Sequence, residues 1–151
     1  MITGVRIALD VGSVRIGVAK CDREGLLATP LVTITAGPEA LNDVVALVND
    51  LDAICVYVGN PISLAGRATA STKSARDFAR ELSALLAGSN SCVRMIDERL
   101  STVTAQRGMH EAGRNVKQSR DAIDQAAAVV ILEHALDTER HSEGLVGEEV
   151  S

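Results

Sequence analysis

Three carboxylates, Asp10, Glu98 and Asp124, are the side chains of this 151-residue chain best placed for chemistry. Asp10 interrupts an apolar run in RIALDVGSVRIGVAK, residues 6–20. An ionised carboxylate taken out of water without a partner costs several kcal/mol, so one in such a run normally holds a metal, a cation or backbone donors. Capping of its own turn is the alternative, because Asp-x-Gly stretches do this often. Glu98 follows the apolar run CVRMI and Asp97, while Asp124 precedes an alanine-rich stretch whose small side chains would let a helix lie close to a sheet. Asp121, one turn earlier on the same side, is a further candidate. Oxygen-only ligands suit Mg²⁺ or Mn²⁺ rather than zinc.

Each acid also has a plainer reading. Asp121 and Asp124 would complement the positive end of a helix dipole, Asp97 would end a strand in a turn, and Glu98 would pair with Arg99. His110, His134 and His141 have neither triad nor ligand spacing, and Ser13, Ser63 and Ser101 lack a paired base, which argues against nucleophilic catalysis.

The elements that must position these groups follow from periodicity. Val5, Ile7, Leu9 and Val11 alternate as one face of a central strand, Gly12-Ser13 turns the chain, and residues 16–21 return antiparallel. Residues 26–34 predict a third strand, which Pro30 confines to an edge or a bulge. Leu41, Val44, Val45 and Val48 mark a helix over 39–51, and AICVYV a buried parallel strand over 53–58, closed by Gly59-Asn60-Pro61. A polar loop over 62–72 leads to a helix capped by Ser71 or Thr72, with an apolar stripe of Ala75, Phe78, Ala79, Leu82, Leu85 and Leu86. After the strand at 92–96, a short helix over 102–110 and a polar stretch over 111–119 precede a last helix over 121–136, with Ile123, Ala126, Ala127, Val130 and Ile131 at core spacing. This order predicts an α/β domain over 1–137, a mixed five-stranded sheet with helices on both faces, followed by a disordered acidic tail over 138–151. Ligands of such sheets collect outside the carboxyl ends of central strands. Asp10, the Gly59 loop and Asp97-Glu98 fall there, with Asp10 and Glu98 expected on neighbouring strands.

Composition narrows the function. Hydrophobic residues make up 46% of the chain and aromatics 1%, so nucleic-acid contacts cannot rest on rows of rings stacked on bases. A net charge of -5 argues against coating DNA by overall charge, yet basic residues outnumber acidic ones between Arg67 and Arg120. Arg67, Lys73 and Lys117 in that stretch are candidates for phosphate contacts. Cys21, Cys55 and Cys92, odd in number and without Cys-x-x-Cys spacing, read as buried free thiols of a reducing cytoplasm. No targeting or membrane-spanning signal is visible, so no membrane partner is expected.

Four blocks, ALDVGSVRIGVA, VGNPISLAGR, IDERLST and IDQAAAVVIL, resemble the YqgF/RuvX family, and the likeness spans residues 6–136. The resemblance implies a ribonuclease H-like fold and a Mg²⁺- or Mn²⁺-dependent nuclease in which Asp10, Glu98 and Asp124 are the catalytic, metal-binding acids. It implies phosphate contacts from Arg15 and Arg99, and as substrate either precursor small-subunit ribosomal RNA, met on ribosomal precursor particles, or Holliday-junction DNA. Such an enzyme would act as a monomer or homodimer. The chain departs from the family pattern at Asn60, where a leucine is usual, and near Thr69, where a second glycine is usual. Two rivals from other classes are a non-catalytic nucleic-acid-binding or ribosome-assembly module and an ATP-handling domain. The second usually needs two such domains, and this chain has room for one.

Overall fold

The computed structural model describes residues 2–60, 70–97, 116–142 and 144–150, and for 70–73 and 116–123 only the backbone. Its strands are β1 (Arg6–Val11), β2 (Arg15–Cys21), β3 (Ala28–Thr35), β4 (Cys55–Asn60), β5 (Cys92–Asp97) and β6 (Glu148–Val150). Its helices are α1 (Ala40–Leu51), α2 (Ala70–Leu85) and α3 (Val116–Ser142). One sheet of order β3-β2-β1-β4-β5-β6 carries all six strands. β1, β4 and β5 run parallel, and β2, β3 and β6 pair antiparallel to their neighbours.

Alternation along the strands builds two cores. Ile7, Leu9, Ile16, Val18, Val56, Val58, Val93 and Met95 face one side, where Val44 and Val48 of α1 and Ala75, Ala79 and Leu82 of α2 cover them. Ala8, Ala19, Cys55, Tyr57 and Ile96 face the other, where Ala128, Ile131, Leu132 and Ala135 of α3 pack. The mixed sheet with helices on both faces is therefore as the periodicity predicts. β3 lies at the edge, and the register slips opposite Val18/Ala19, where Pro30 pairs with Ala19. Both positions open to a proline are thus used at once.

Five expectations are corrected. Among the described residues the sheet has six strands, because residues placed by composition in the tail take up regular structure: α3 continues to Ser142, and β6 pairs Val150 with Val93. Burial of Val150 and ion pairs from Arg76 to Glu148 and Arg94 to Glu149 hold that strand, which its acidic composition disguised. β1 and β5 are not neighbours, since β4 lies between them. Ser71 and Thr72 fall inside α2 instead of capping it, and Leu85, expected in the core, is 52% exposed at the helix end. Residues 116–119, expected in a polar connection, already belong to α3. The expected helix over 102–110 and the Gly59 loop beyond Asn60 lie outside the described residues. No helix among the described residues is long and apolar enough to cross a membrane.

A buried polar network ties the far end of α3 to β1. The Arg6 guanidinium, 1% exposed, donates from Nη2 to Glu139 Oε1 at 2.6 Å. Tyr57 Oη donates to Glu139 Oε2 at 2.6 Å and accepts from the Val146 amide at 3.3 Å. Three buried polar groups thereby satisfy one another, which removes most of the cost of desolvating them. Burial, Cys55 and Glu139 push the Tyr57 hydroxyl far above the usual tyrosine range. With Glu139 fixed over β1, the far end of α3 is pinned on its line across the sheet.

Candidate active site

That line brings α3 onto β2 at Gly17. An alanine Cβ at Gly17 would lie 1.9 Å from the Asp124 carbonyl oxygen and 2.3 Å from its carbonyl carbon, so the helix backbone occupies the space of the missing side chain. Gly17 is the direct antiparallel partner of Asp10, and such partners project to the same side of a sheet. Asp10 therefore shares the α3 side with Arg6 and Ala8, at the carboxyl end of β1, and is half-buried there. Two of the three predicted acids thus meet on one face through a glycine, although 114 positions separate Asp10 from Asp124.

Arg15 joins them. It opens β2 on the same side as Gly17, and its Nε donates to Asp124 Oδ2 at 2.9 Å, with the two side chains 32% and 22% exposed. Farther across, Gln125 Nε2 donates to Thr33 Oγ1 at 2.9 Å and anchors α3 to the edge strand. The helix is thus fixed on both sides of Asp124.

The other predicted residues divide. Asp97 ends β5 opposite Asn60, is exposed, and alternates with Val93 and Met95 toward the α1/α2 side, away from Asp10 and Asp124. Asp121 lies on α3 one turn before Asp124, and Lys117 two turns before it, about 10 Å farther along the axis. Lys73 lies in the first turn of α2. Glu98, Arg67 and Arg99 lie outside the described residues. Because β4 intervenes, the ends of β1 and β5 stand about 10 Å apart. Gly59, between Leu9's partner Val58 and Asn60, adds no side chain to the span.

Among the described residues no three His, Cys, Asp or Glu side chains form a metal site. The groups at hand nevertheless suit a hard divalent cation: their donors are carboxylate oxygens, and the Arg15 guanidinium on Asp124 shows that a positive charge is accepted there. Gly17 and the pairing of Arg15 to Asp124 were not singled out from sequence as position-setting features. Gly17 between the branched Ile16 and Val18 was the available signal, since a strand glycine often marks close approach of another backbone.

The architecture is that of the ribonuclease H-like fold. It is similar to the solved "T. thermophilus RuvC in complex with Holliday junction substrate", with TM-score 0.57 and 14% identity over 91% of this chain and 96% of that one. A second Thermus thermophilus RuvC structure matches with TM-score 0.54 and 16% identity, again over 91% and 96%. At such identities the likeness shows the fold alone. The chain belongs to the RuvX family, whose model, described as "Holliday junction resolvase", matches residues 4–138. Relatives named "Putative pre-16S rRNA nuclease" include one from Clavibacter michiganensis, 46% identical over 91% of this chain and 85% of its own length. Others are from Thermobifida fusca, 45% identical over 98% and 96%, and Mycobacterium ulcerans, 48% identical over 91% and 81%.

Proposed function

We propose that this nuclease hydrolyses phosphodiester bonds in precursor small-subunit ribosomal RNA, using a divalent cation held by Asp10, Glu98 and Asp124. The observation that carries the reading is the crossing of α3 over Gly17, which sets Asp124 on the face that bears Asp10. Bound Mg²⁺ or Mn²⁺ would supply an activated water and stabilise charge on the phosphoryl oxygens. Arg15 would contact the substrate backbone, and its ion pair keeps Asp124 ordered and the arginine within reach of a phosphate. Lys73 and Lys117, with Arg67 and Arg99, would position the strand through its phosphates, which carry no sequence information. The names of the relatives favour the ribosomal precursor, whereas the description of the family model favours a four-way DNA junction.

The test is cleavage of structured precursor RNA and a four-way DNA junction side by side, with Asp10→Asn as control. Faster Mg²⁺-dependent turnover of RNA, lost in Asp10→Asn, is expected. Binding without turnover in Mg²⁺ or Mn²⁺ would replace the enzyme reading with a non-catalytic ribosome-assembly module. Preference for the junction would replace the substrate.

A further inference from the structure

At the opposite end of the sheet, Cys55 and Cys92 open the parallel strands β4 and β5 as direct register partners. The Cys92 amide donates to the Ile54 carbonyl at 3.2 Å, which fixes the alignment of the two strand starts. Register partners on adjacent strands have Cα atoms about 4.8 Å apart, inside the span of a disulfide of roughly 4.4–6.8 Å. The residues alternate onto the α3 side with Tyr57, and both thiols are free.

Their surroundings differ. Cys55 is fully buried, and burial pushes its thiol well above the usual range. Cys92 is half-buried, and the neighbouring Cys55 thiol, with Arg94 two residues along the strand, outweighs the opposing effect of burial and brings its thiol down to about 6. Arg94 is itself held by the carbonyls of Val146 at 3.3 Å and Gly147 at 3.1 Å, where the chain leads into β6. The partly exposed Cys92 is thus the thiol favoured to attack and the fully buried Cys55 the one placed to resolve, the division of labour of a reactive dithiol.

We propose that Cys55 and Cys92 form a peroxide-reactive dithiol, with Cys92 attacking and Cys55 resolving. The Cys92 thiolate attacks one oxygen of a hydroperoxide, forming an S–O bond as the O–O bond breaks. The sulfur loses two electrons and becomes a sulfenic acid, and the departing oxygen takes a proton to leave as water or an alcohol. Cys55 sulfur then attacks Cys92 sulfur, the S–S bond forms, the S–O bond breaks, and the hydroxyl leaves as water with the Cys55 proton. The product staples β4 to β5 at the end of the sheet away from Asp10.

The test treats the full-length chain with a small excess of hydrogen peroxide and reads intact mass and peptide maps. A loss of about 2 Da from a Cys55–Cys92 linkage, reversed by a thiol reductant, is expected, together with a melting temperature raised by roughly 5 °C or more. Cys55→Ser should trap the sulfenic acid on Cys92 as a gain of about 16 Da, captured by a sulfenic-acid reagent. At pH 7, Cys92 should alkylate at least tenfold faster than Cys21, the internal control whose thiol burial pushes up. Linkage through Cys21, retention of both thiols after peroxide, or equal reactivity of Cys92→Ser and the parent would overturn the proposal. Because Cys55→Ser and Cys92→Ser can be checked by their melting curves, loss of folding is distinguishable from loss of reactivity.

Discussion

Replacing Gly17 by alanine tests the packing on which the proposed site depends. The new Cβ would fall 1.9 Å from the Asp124 carbonyl oxygen, whereas ordinary contact needs about 3.5 Å, so α3 must withdraw by about 1.5 Å at that point. The obstacle is backbone, which cannot rotate aside. Overpacking of this kind costs about 1–3 kcal/mol, which lowers the melting temperature of a chain this size by roughly 2–12 °C. A 1 Å misplacement of a catalytic group can cost about 10²-fold in rate, so cleavage should fall by about that factor even where the protein remains folded. Gly37→Ala is the matched control, because a Cβ there meets nothing within 4 Å. Its melting temperature and rate should match the parent. Thermal denaturation and single-turnover cleavage in Mg²⁺ read both effects. If Gly17→Ala behaves like Gly37→Ala in both assays, the close approach of α3 does not set the position of Asp124, and the reasoning fails.

Tyr57→Phe leaves the Glu139 carboxylate and the Val146 amide each short of a partner, and should cost about 1–3 kcal/mol in chemical denaturation without altering cleavage. Arg15→Gln should change stability by about 0–1 kcal/mol, tighten Mg²⁺ binding in calorimetry by freeing Asp124, and reduce the salt slope of RNA binding by about one. Glu148 is held below its ordinary 4.5 by the hydrogen bond from Arg76, so its support of β6 is present above that value and is lost as the pH falls through the lower folded value. Amide exchange in β6 should therefore accelerate selectively below about pH 4.5, and Arg76→Gln should abolish that selectivity.

Most of the architecture was legible because it rests on local periodicity. Alternation in β1 and β2, the continuous apolar run of β4 and the stripe of α1 each dictate which side is buried. Pro30 announced its edge strand through chemistry that no neighbour could alter. What escaped depends on partners distant in sequence. β6 is three residues long and reads as acidic tail until Val150 finds Val93 and the two glutamates find Arg76 and Arg94. Arg6 is buried at the start of β1 only because Glu139, far along the chain, pairs with it. The placement of β4 between β1 and β5 likewise follows from strand order, which periodicity does not encode. Near the candidate site, the small-residue face of the last helix correctly implied close packing. The contact that aligns Asp124 with Asp10 was not readable, because it is made by an absent side chain.

The most direct measurement of the central claim is a double-mutant cycle in single-turnover cleavage, comparing Asp10→Asn, Asp124→Asn and the two combined with the parent in Mg²⁺. If both acids hold the same cation, each single change removes most of the activity and the combination loses little more, because groups that act as a unit are not additive. Losses that multiply in the combined variant, or an Asp124→Asn protein that cleaves at the parent rate, would show that α3 does not complete a site with Asp10.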